Sequence, residues 1–188
     1  MKQTNEIEGW FDYPNTFKFL INSIPDSGIF VECGAWLGKS SSFLCDNAKT
    51  YGYIHQYTNG INVFIVDTWE GSSDELDTTH KLATETDIYP VFLDNMGNRK
   101  FTPIKKTSIE ASKDFQDESC DVVYIDMQHS YEAVKEDIEH WLPKVKKGGY
   151  ISGHDYPYAP GVAKAVHEVF SIDDIQRHDL STWTVRKV

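Results

Sequence analysis

The fold of this chain is decided by the stretch Ile29-Phe-Val-Glu-Cys-Gly-Ala-Trp-Leu-Gly-Lys-Ser40. Residues 29–33 form a short apolar run that predicts a buried strand, and a loop with a glycine at each end follows it. Residues 40–49 then predict a helix. A strand, a glycine loop and a helix in this order are typical of parallel sheets, because each helix carries the chain back to the end of the sheet where the next strand starts.

The same alternation of strand and helix continues along the chain. Further strands are predicted at 63–67, 101–105, 121–126 and 150–153, with a closing antiparallel pair at 172–177 and 182–188. Helices are predicted at 15–23, 77–97, 109–115, 131–147 and 162–170, and the helix at 131–147 ends in the lysines at 144, 146 and 147 before Gly148-Gly149. The pattern predicts one α/β domain over residues 1–188, doubly wound and mostly parallel, with residues 1–27 as a helical segment packed on it. Ligands of such sheets bind beyond the carboxyl ends of the strands.

Three kinds of ligand compete for the glycine loop between Gly34 and Gly38. A Walker A loop needs one more residue before its Gly-Lys-Ser, and a dinucleotide-binding loop needs a third glycine. The carboxylate of Glu32 suits the ammonium group of an amino-acid-like ligand, which a phosphate site would not want. The loop therefore favours S-adenosylmethionine, with Glu32, Gly34, Gly38 and Ser40 as cofactor contacts, although a plain tight turn would use the same glycines.

Polar residues after the second and third strands extend the predicted cofactor site. Asp67 ends the second strand, where an acid accepts hydrogen bonds from both ribose hydroxyls, and Trp69 is expected near the nucleoside. Thr107 and Ser108 follow the third strand, where an adenine contact is expected. Asp67 and Ser108 are also suitable helix N-caps, so a purely structural alternative stays open for both.

A second polar group is predicted where the fourth and fifth strands end. Asp126 ends the fourth strand and His154-Asp155 ends the fifth, so neighbouring strands should bring the three together beside the reactive methyl group, with Asp126 also in contact with the cofactor. Two carboxylates and an imidazole suit a divalent ion, with a histidine ligand shifting the preference from Mg²⁺ towards Mn²⁺, iron or zinc. A hydrogen-bonded network without metal is the equal alternative. His129 or His154 is the predicted general base, and His129 as a brace for the next helix stays open.

The composition narrows the partners. The formal net charge of -11 repels phosphate backbones, so a small-molecule substrate is expected and a nucleic acid is not. Cys33, Cys45 and Cys120 form no CxxC pair and predict free thiols in a reducing compartment. We recognise no signal peptide and no apolar run long enough for a bilayer, so a cytoplasmic protein without a membrane partner is expected. Homo-oligomer formation stays open.

Taken together, these segments resemble class I S-adenosylmethionine-dependent methyltransferases of the methyltransferase domain 24 type. The resemblance runs from Glu8 to Val162 and is carried by Phe30-Val-Glu-Cys-Gly-Ala-Trp-Leu-Gly-Lys-Ser40, Val66-Asp-Thr-Trp-Glu-Gly71, Ile125-Asp-Met-Gln-His-Ser-Tyr-Glu132, Trp141-Leu-Pro and Gly148-Gly-Tyr-Ile-Ser-Gly-His-Asp-Tyr156. It implies a Rossmann-like sheet of seven strands ending in an antiparallel hairpin, with Glu32, Gly34 and Gly38 at the methionine end of the cofactor and Asp67 at its ribose.

The resemblance also bears on the metal and on the reaction. Related sugar O-methyltransferases and the cephalosporin-hydroxylase-like group carry a metal on acids after the fourth and fifth strands, and His154 stands where an acid is usual. We therefore expect O-methylation of a small hydroxylated acceptor such as a sugar, with a metal at Asp126 and Asp155 lowering the hydroxyl pKa. A non-catalytic S-adenosylmethionine-binding domain and a metal-dependent hydroxylase stay open as alternatives, and a nucleotide hydrolase is least supported because the loop is too short.

Overall fold

The computed structural model of the chain describes residues 1–48, 60–71 and 79–188. Within these ranges the strands are β1 (Ile29–Cys33), β2 (Asn62–Asp67), β3 (Thr102–Lys105), β4 (Cys120–Ile125), β5 (Val145–Gly153) and β6 (Trp183–Arg186). The α-helices are α1 (Pro14–Ser23), α2 (Lys39–Ala48), α3 (Thr79–Glu85), α4 (Tyr89–Met96), α5 (Ser108–Ser112), α6 (Tyr131–Trp141) and α7 (Pro160–Val169). Short 3-10 helices cover Thr4–Glu6, Leu142–Lys144 and Ile172–Asp174.

The strands form one sheet in the order β3-β2-β1-β4-β5-β6. All neighbouring pairs are parallel except β5 and β6, which are antiparallel. Cys33 is in register with Val66 on one side and with Ile125 on the other, so the carboxyl ends of β1, β2 and β4 lie level along one edge. The predicted doubly wound, mostly parallel α/β sheet is therefore confirmed, together with its antiparallel C-terminal strand.

The expected count of seven strands is wrong for the described part of the chain, which has six. The missing strand was predicted at 172–177, where the chain instead forms a 3-10 helix and a single antiparallel bridge between Gln176 and Thr184. Residues 171–174 and 176–177 are exposed. A segment without a buried face lacks the side-chain packing that stabilises a strand, so only the bridge forms.

Two predicted helices also end differently. The helix from Tyr131 stops at Trp141, because Pro143 cannot donate the amide hydrogen bond that would continue it, and β5 already begins at Val145. Lys144 ends the 3-10 helix, whereas Lys146 and Lys147 lie in β5 and do not cap a helix; Lys146 pairs with Asp121 at 2.8 Å. The helix predicted at 77–97 is divided into α3 and α4, and residues 77 and 78, like Lys49 at the predicted end of α2, lie outside the described residues.

Both faces of the sheet are covered by helices. Phe17, Leu44 and Phe92 of α1, α2 and α4 pack on one face against Phe30 and Tyr124 of the strands. Apolar side chains of α5, α6 and α7 pack on the other face, including Ala111, Ile138, Trp141, Ala165 and Val166. None of the described helices is long and apolar enough to cross a bilayer. Cys33, Cys45 and Cys120 are buried free thiols, as their spacing predicts.

The start of α1 is tied to the C-terminal part of the chain. Asp179 accepts hydrogen bonds from the backbone amide and the hydroxyl of Thr16 and from the side chain of Asn15, at 2.7, 3.0 and 2.8 Å. These bonds satisfy an amide that the first helical turn leaves without a partner. The start of α1 is thus held by a residue near the far end of the sequence, and the segment just before α1 reaches the carboxyl edge of the sheet, where Tyr13 contacts Asp126.

Candidate active site

Glu32, at the end of β1, is a completely buried acid. Its Oε2 accepts a hydrogen bond from the Ser41 hydroxyl at 2.6 Å, while its Oε1 has no partner among the described residues. Burial raises the pKa of Glu32 to about 8, although the hydroxyls of Ser40 and Ser41 oppose the shift. An unsatisfied buried carboxyl oxygen is costly, and it is the kind of atom that a cofactor with an ammonium group would satisfy.

The loop Gly34–Gly38, called here the cofactor loop, lies directly against the end of β4. Gly34 has a φ of 93°, and a Cβ at this position would lie 1.7 Å from the carbonyl oxygen of Asp126. Gly38 has a φ of 91° and packs on Phe92 and Met96 of α4. Both positions therefore require glycine for backbone conformation and packing, independently of any cofactor contact. This close approach places the cofactor loop next to Asp126. The predicted cofactor residues and the predicted metal-binding residues therefore lie side by side.

Asp67 ties the cofactor loop to the end of β2. Its Oδ2 accepts hydrogen bonds from the amides of Ala35 and Trp36 at 2.8 and 3.0 Å, and its Oδ1 accepts one from the amide of Trp69 at 2.7 Å. Burial raises the pKa of Asp67, and these backbone amides oppose the shift. Each carboxylate oxygen can accept more than one hydrogen bond. The predicted ribose contact is compatible with this geometry and stays a prediction.

Trp69 lies deeper than the sequence suggests. Its side chain is fully buried, packs against Tyr89 and Phe92, and donates a hydrogen bond from Nε1 to the carbonyl of Trp36 at 3.1 Å. This hydrogen bond makes Trp69 a support of the cofactor loop. Its predicted position near the nucleoside stays a prediction.

Thr107 and Ser108 have clear local roles after β3. Thr107, and not Ser108, is the N-cap of α5, and it forms a reciprocal capping box with Glu110. The buried Ser108 hydroxyl accepts a hydrogen bond from Trp141 Nε1 at 2.8 Å. Neither contact tests the predicted adenine contact, which stays a prediction for both residues.

Asp126, His154 and Asp155, called here the trio, converge as the sequence predicts. One ligand atom from each lies within 4.8 Å of the others, at the neighbouring ends of β4 and β5. His154 Nδ1 is 3.5 Å from Asp126 Oδ1 and 3.2 Å from Asp155 Oδ2. His129, on the loop after β4, adds a contact of 2.9 Å from Nε2 to Asp155 Oδ2. The trio holds two carboxylates and one imidazole in reach of a single ion.

The charges of the trio depend on one another. Burial disfavours the imidazolium of His154, but the carboxylates of Asp126 and Asp155 outweigh it and raise the pKa of His154 to about 11. Burial alone would raise the pKa of Asp155. Hydrogen bonds from His129 and His154 outweigh burial and hold this pKa well below the ordinary value. The protonated imidazole of His154 thus places a positive charge between the carboxylates of Asp126 and Asp155. A divalent ion could take the place of that charge.

Two site residues in the segment before α1 escaped the sequence reasoning. Asp12 Oδ1 is 2.9 Å from His154 Nε2, and the Tyr13 hydroxyl donates to Asp126 Oδ2 at 2.8 Å. The Tyr13 ring also packs on the His154 ring, with 4.6 Å between centroids. The sequence match that begins at Glu8 was the one available signal, since contacts between residues 113 to 142 positions apart leave no local pattern.

A pocket opens beside the trio. Its lining includes Asp126, His129, His154 and Asp155, together with apolar side chains from the strand ends and helices, namely Ile125, Met127, Val134, Val162 and Trp183. Its volume is only about 10 Å³, close to the room that one water molecule needs, so the site offers converging polar groups on an apolar wall rather than a preformed space for an acceptor.

Comparison with known proteins gives a family match. The family model Methyltransf_24, described as a methyltransferase domain, matches residues 31–156, which include the cofactor loop and the trio. The protein y4gI of Sinorhizobium fredii (strain NBRC 101917 / NGR234), described as uncharacterized, is 34% identical over 94 residues. That match covers 49% of this chain and 10% of y4gI, so the chain spans about a tenth of the relative's length.

Solved structures share the fold at low sequence identity. The O-methyltransferase NovP has a TM-score of 0.65 and 18% identity, with 93% of this chain and 79% of NovP covered. The calicheamicin methyltransferase CalS11 has a TM-score of 0.60 and 14% identity, with 92% and 76% covered. A putative rRNA methylase from Clostridium thermocellum also matches, with a TM-score of 0.59, 12% identity and coverage of 97% and 100%. The shared fold therefore does not by itself decide the methyl acceptor.

Proposed function

Because the chain belongs to the Methyltransf_24 family and is an S-adenosylmethionine-dependent methyltransferase, we propose that it methylates a hydroxyl oxygen of a small acceptor such as a sugar, assisted by a divalent ion. The main support for this proposal is the contact between the cofactor loop and Asp126. His154 and Asp155 lie beside Asp126. This contact puts the group that would activate a hydroxyl next to the loop that would hold the methyl donor.

The cofactor would bind along the carboxyl edge of the sheet. Glu32, with its unsatisfied Oε1, fits the ammonium of the methionine moiety, and Ser40 lies beside it at the start of α2. Asp67 at the end of β2 fits the ribose, and Thr107 and Ser108 after β3 lie at the level expected for adenine. The order of these residues along the edge matches an extended adenosyl ligand whose sulfonium lies near Asp126.

The trio fits a divalent ion by its donor set. Asp126, His154 and Asp155 offer oxygen and nitrogen atoms within 4.8 Å of one another, and a mixed set of this kind favours Mn²⁺ or another transition ion over Mg²⁺. When bound, such an ion would lower the pKa of an acceptor hydroxyl. The protein's own task is then to hold the oxygen in line with the methyl group, which is a matter of position.

His129 is the residue we assign as proton acceptor. Its ring lines the pocket, is one-third exposed and is oriented by Asp155 at 2.9 Å. His154 is less suited, because Asp12 contacts one of its nitrogens and the carboxylates of the trio contact the other. An oriented imidazole at the pocket wall can receive the hydroxyl proton as the methyl group moves to oxygen.

A small acceptor agrees with the surface and with the relatives. The net charge of -11 opposes a polyanion such as RNA. Trp10 and Tyr158 are about two-thirds exposed; Trp10 lies two residues before Asp12, and Tyr158 lies three residues after Asp155. Exposed aromatic rings suit the apolar faces of sugars and phenols. The O-methyltransferase NovP and the calicheamicin methyltransferase CalS11 share the fold.

The test is methyl transfer from labelled S-adenosylmethionine to free sugars, nucleotide sugars, phenols and RNA, with Mn²⁺, Mg²⁺ or a chelator. We expect transfer to a hydroxylated small molecule that stops with the chelator. Asp126→Asn should lower turnover by at least about 100-fold while S-adenosylhomocysteine still binds. Asp114→Asn, which removes an exposed surface acid, is the matched control. Transfer to RNA alone, or Asp126→Asn turnover with unchanged metal dependence, would contradict the proposal.

A further inference from the structure

The two ring nitrogens of His154 are engaged from opposite sides. Nδ1 faces the carboxylates of Asp126 and Asp155 at 3.5 and 3.2 Å, and Nε2 faces Asp12 Oδ1 at 2.9 Å. The side chain of His154 is only 13% exposed, so the ring has little freedom to turn. Nδ1 is therefore the nitrogen available to an ion held by the trio.

Asp12 is itself held in place. The hydroxyl of Ser181, a buried residue on the loop before β6, donates to the same Asp12 Oδ1 at 2.9 Å. The next residue, Tyr13, contacts the trio in two ways, through its hydrogen bond to Asp126 and through its ring on the imidazole of His154. The segment before α1 thus supports two of the three members of the trio.

We propose that Asp12 is a positioning residue that fixes His154 as an Nδ1 ligand of a divalent transition ion. A carboxylate that accepts a hydrogen bond from Nε2–H keeps that proton on Nε2, leaves the lone pair on Nδ1, fixes the ring and makes Nδ1 a stronger metal ligand. The inference rests on the proposed metal-assisted function, and it adds that the site is completed from residues before β1, outside the part that the family model matches.

The test uses the metal-free full chain titrated with MnCl₂ in the absence of cofactor and acceptor. Free Mn²⁺ is followed by electron paramagnetic resonance, and nitrogen coupling in the pulsed spectrum reports an imidazole on the bound ion. Asp12→Ala should weaken Mn²⁺ binding by about 10- to 100-fold and reduce the nitrogen coupling. Asp12→Asn keeps an oxygen acceptor and should restore most of the coupling. Ser181→Ala should cause a smaller loss of affinity.

Glu8→Ala is the matched control, since it removes one exposed negative charge from the same segment. Thermal melts of each variant separate loss of binding from loss of folding, and the Asp12 side chain is 65% exposed, which makes its removal tolerable. Tight Mn²⁺ binding with undiminished nitrogen coupling in Asp12→Ala would overturn the role of Asp12 and leave the proposed function intact. A wild-type chain that binds neither Mn²⁺ nor Mg²⁺ would overturn both.

Discussion

Glu32 links the protonation of the protein to its proposed cofactor contact. Burial raises the pKa of this carboxyl to about 8, so it is mostly protonated at neutral pH in the ligand-free chain. A neutral acid gains little from an ammonium group, whereas the carboxylate gains a charge-assisted hydrogen bond. If the ammonium group of the cofactor lies at Oε1, binding must lower the pKa of Glu32 and release a proton.

We therefore predict proton release when S-adenosylhomocysteine binds at pH 7, and an affinity that rises with pH until about pH 8. Calorimetry in two buffers of different ionisation enthalpy measures the number of protons released. Glu32→Gln removes the titrating group and should bind more weakly without that release. Equal proton release by the wild type and Glu32→Gln would assign the proton to another group and remove Glu32 from the cofactor site.

The residues of the site differ in how far the sequence predicts them. Asp126, His154 and Asp155 were predictable because each follows a strand in a parallel sheet, and the topology alone brings such ends together. Asp12 was not, since its place depends on how the chain before α1 crosses the sheet. Gly34 was predicted as a glycine of a tight loop, but the clash of a Cβ with the Asp126 carbonyl is visible only in three dimensions.

At the scale of elements, α4 forms the support of the cofactor loop. Asn95 of α4 is buried and donates a hydrogen bond from Nδ2 to the carbonyl of Leu37 at 2.9 Å. Phe92 and Met96 of the same helix contact the position where Gly38 would carry a Cβ. A single helix, α4, therefore fixes the cofactor loop through one hydrogen bond and through apolar packing.

We predict that Asn95→Leu weakens S-adenosylhomocysteine binding by about 3- to 10-fold, because losing one hydrogen bond of about 1 kcal/mol lets the loop shift. Leucine has the same branching and the same number of side-chain heavy atoms as asparagine, and it also removes the unpartnered Asn95 Oδ1, so the melting temperature should change little. Asp94→Ala, an exposed position on the same helix, is the control. Unchanged affinity together with an unchanged melting temperature would show that α4 does not position the loop.

The elements that were predicted wrongly share a cause. The helical spacing of apolar residues in α6 continues in the sequence as far as Val145. In the structure Pro143 ends the helix, and Val145 is the first residue of β5. The segment at 172–177 has the composition of an edge strand but no partner surface to bury it. In both places the local pattern is ambiguous, and packing against the rest of the sheet decides.

At the scale of the whole molecule, the buried acids set the pH dependence of stability. Burial raises the pKa of Glu32 to about 8 and that of Asp137 to about 6, so the folded chain binds more protons than the unfolded chain between about pH 4 and 8. The raised pKa of His154, to about 11, also gives stability that is present at low pH and lost as the pH rises. The lowered pKa of Asp155 acts the other way and costs stability only below about pH 4.

These signs predict that the free energy of unfolding is greatest near about pH 4 and falls by several kcal/mol as the pH rises to about 8.5. Urea unfolding at a series of pH values, with calorimetric melts as a second probe, measures the curve. Glu32→Gln imitates the protonated acid and should flatten most of the fall between about pH 5 and 8, whereas Glu139→Gln, at an exposed position on α6, should leave the slope unchanged while reducing the negative charge equally. A slope reduced to the same extent by both variants would mean that the net charge of -11, and not the buried acid, governs the loss of stability.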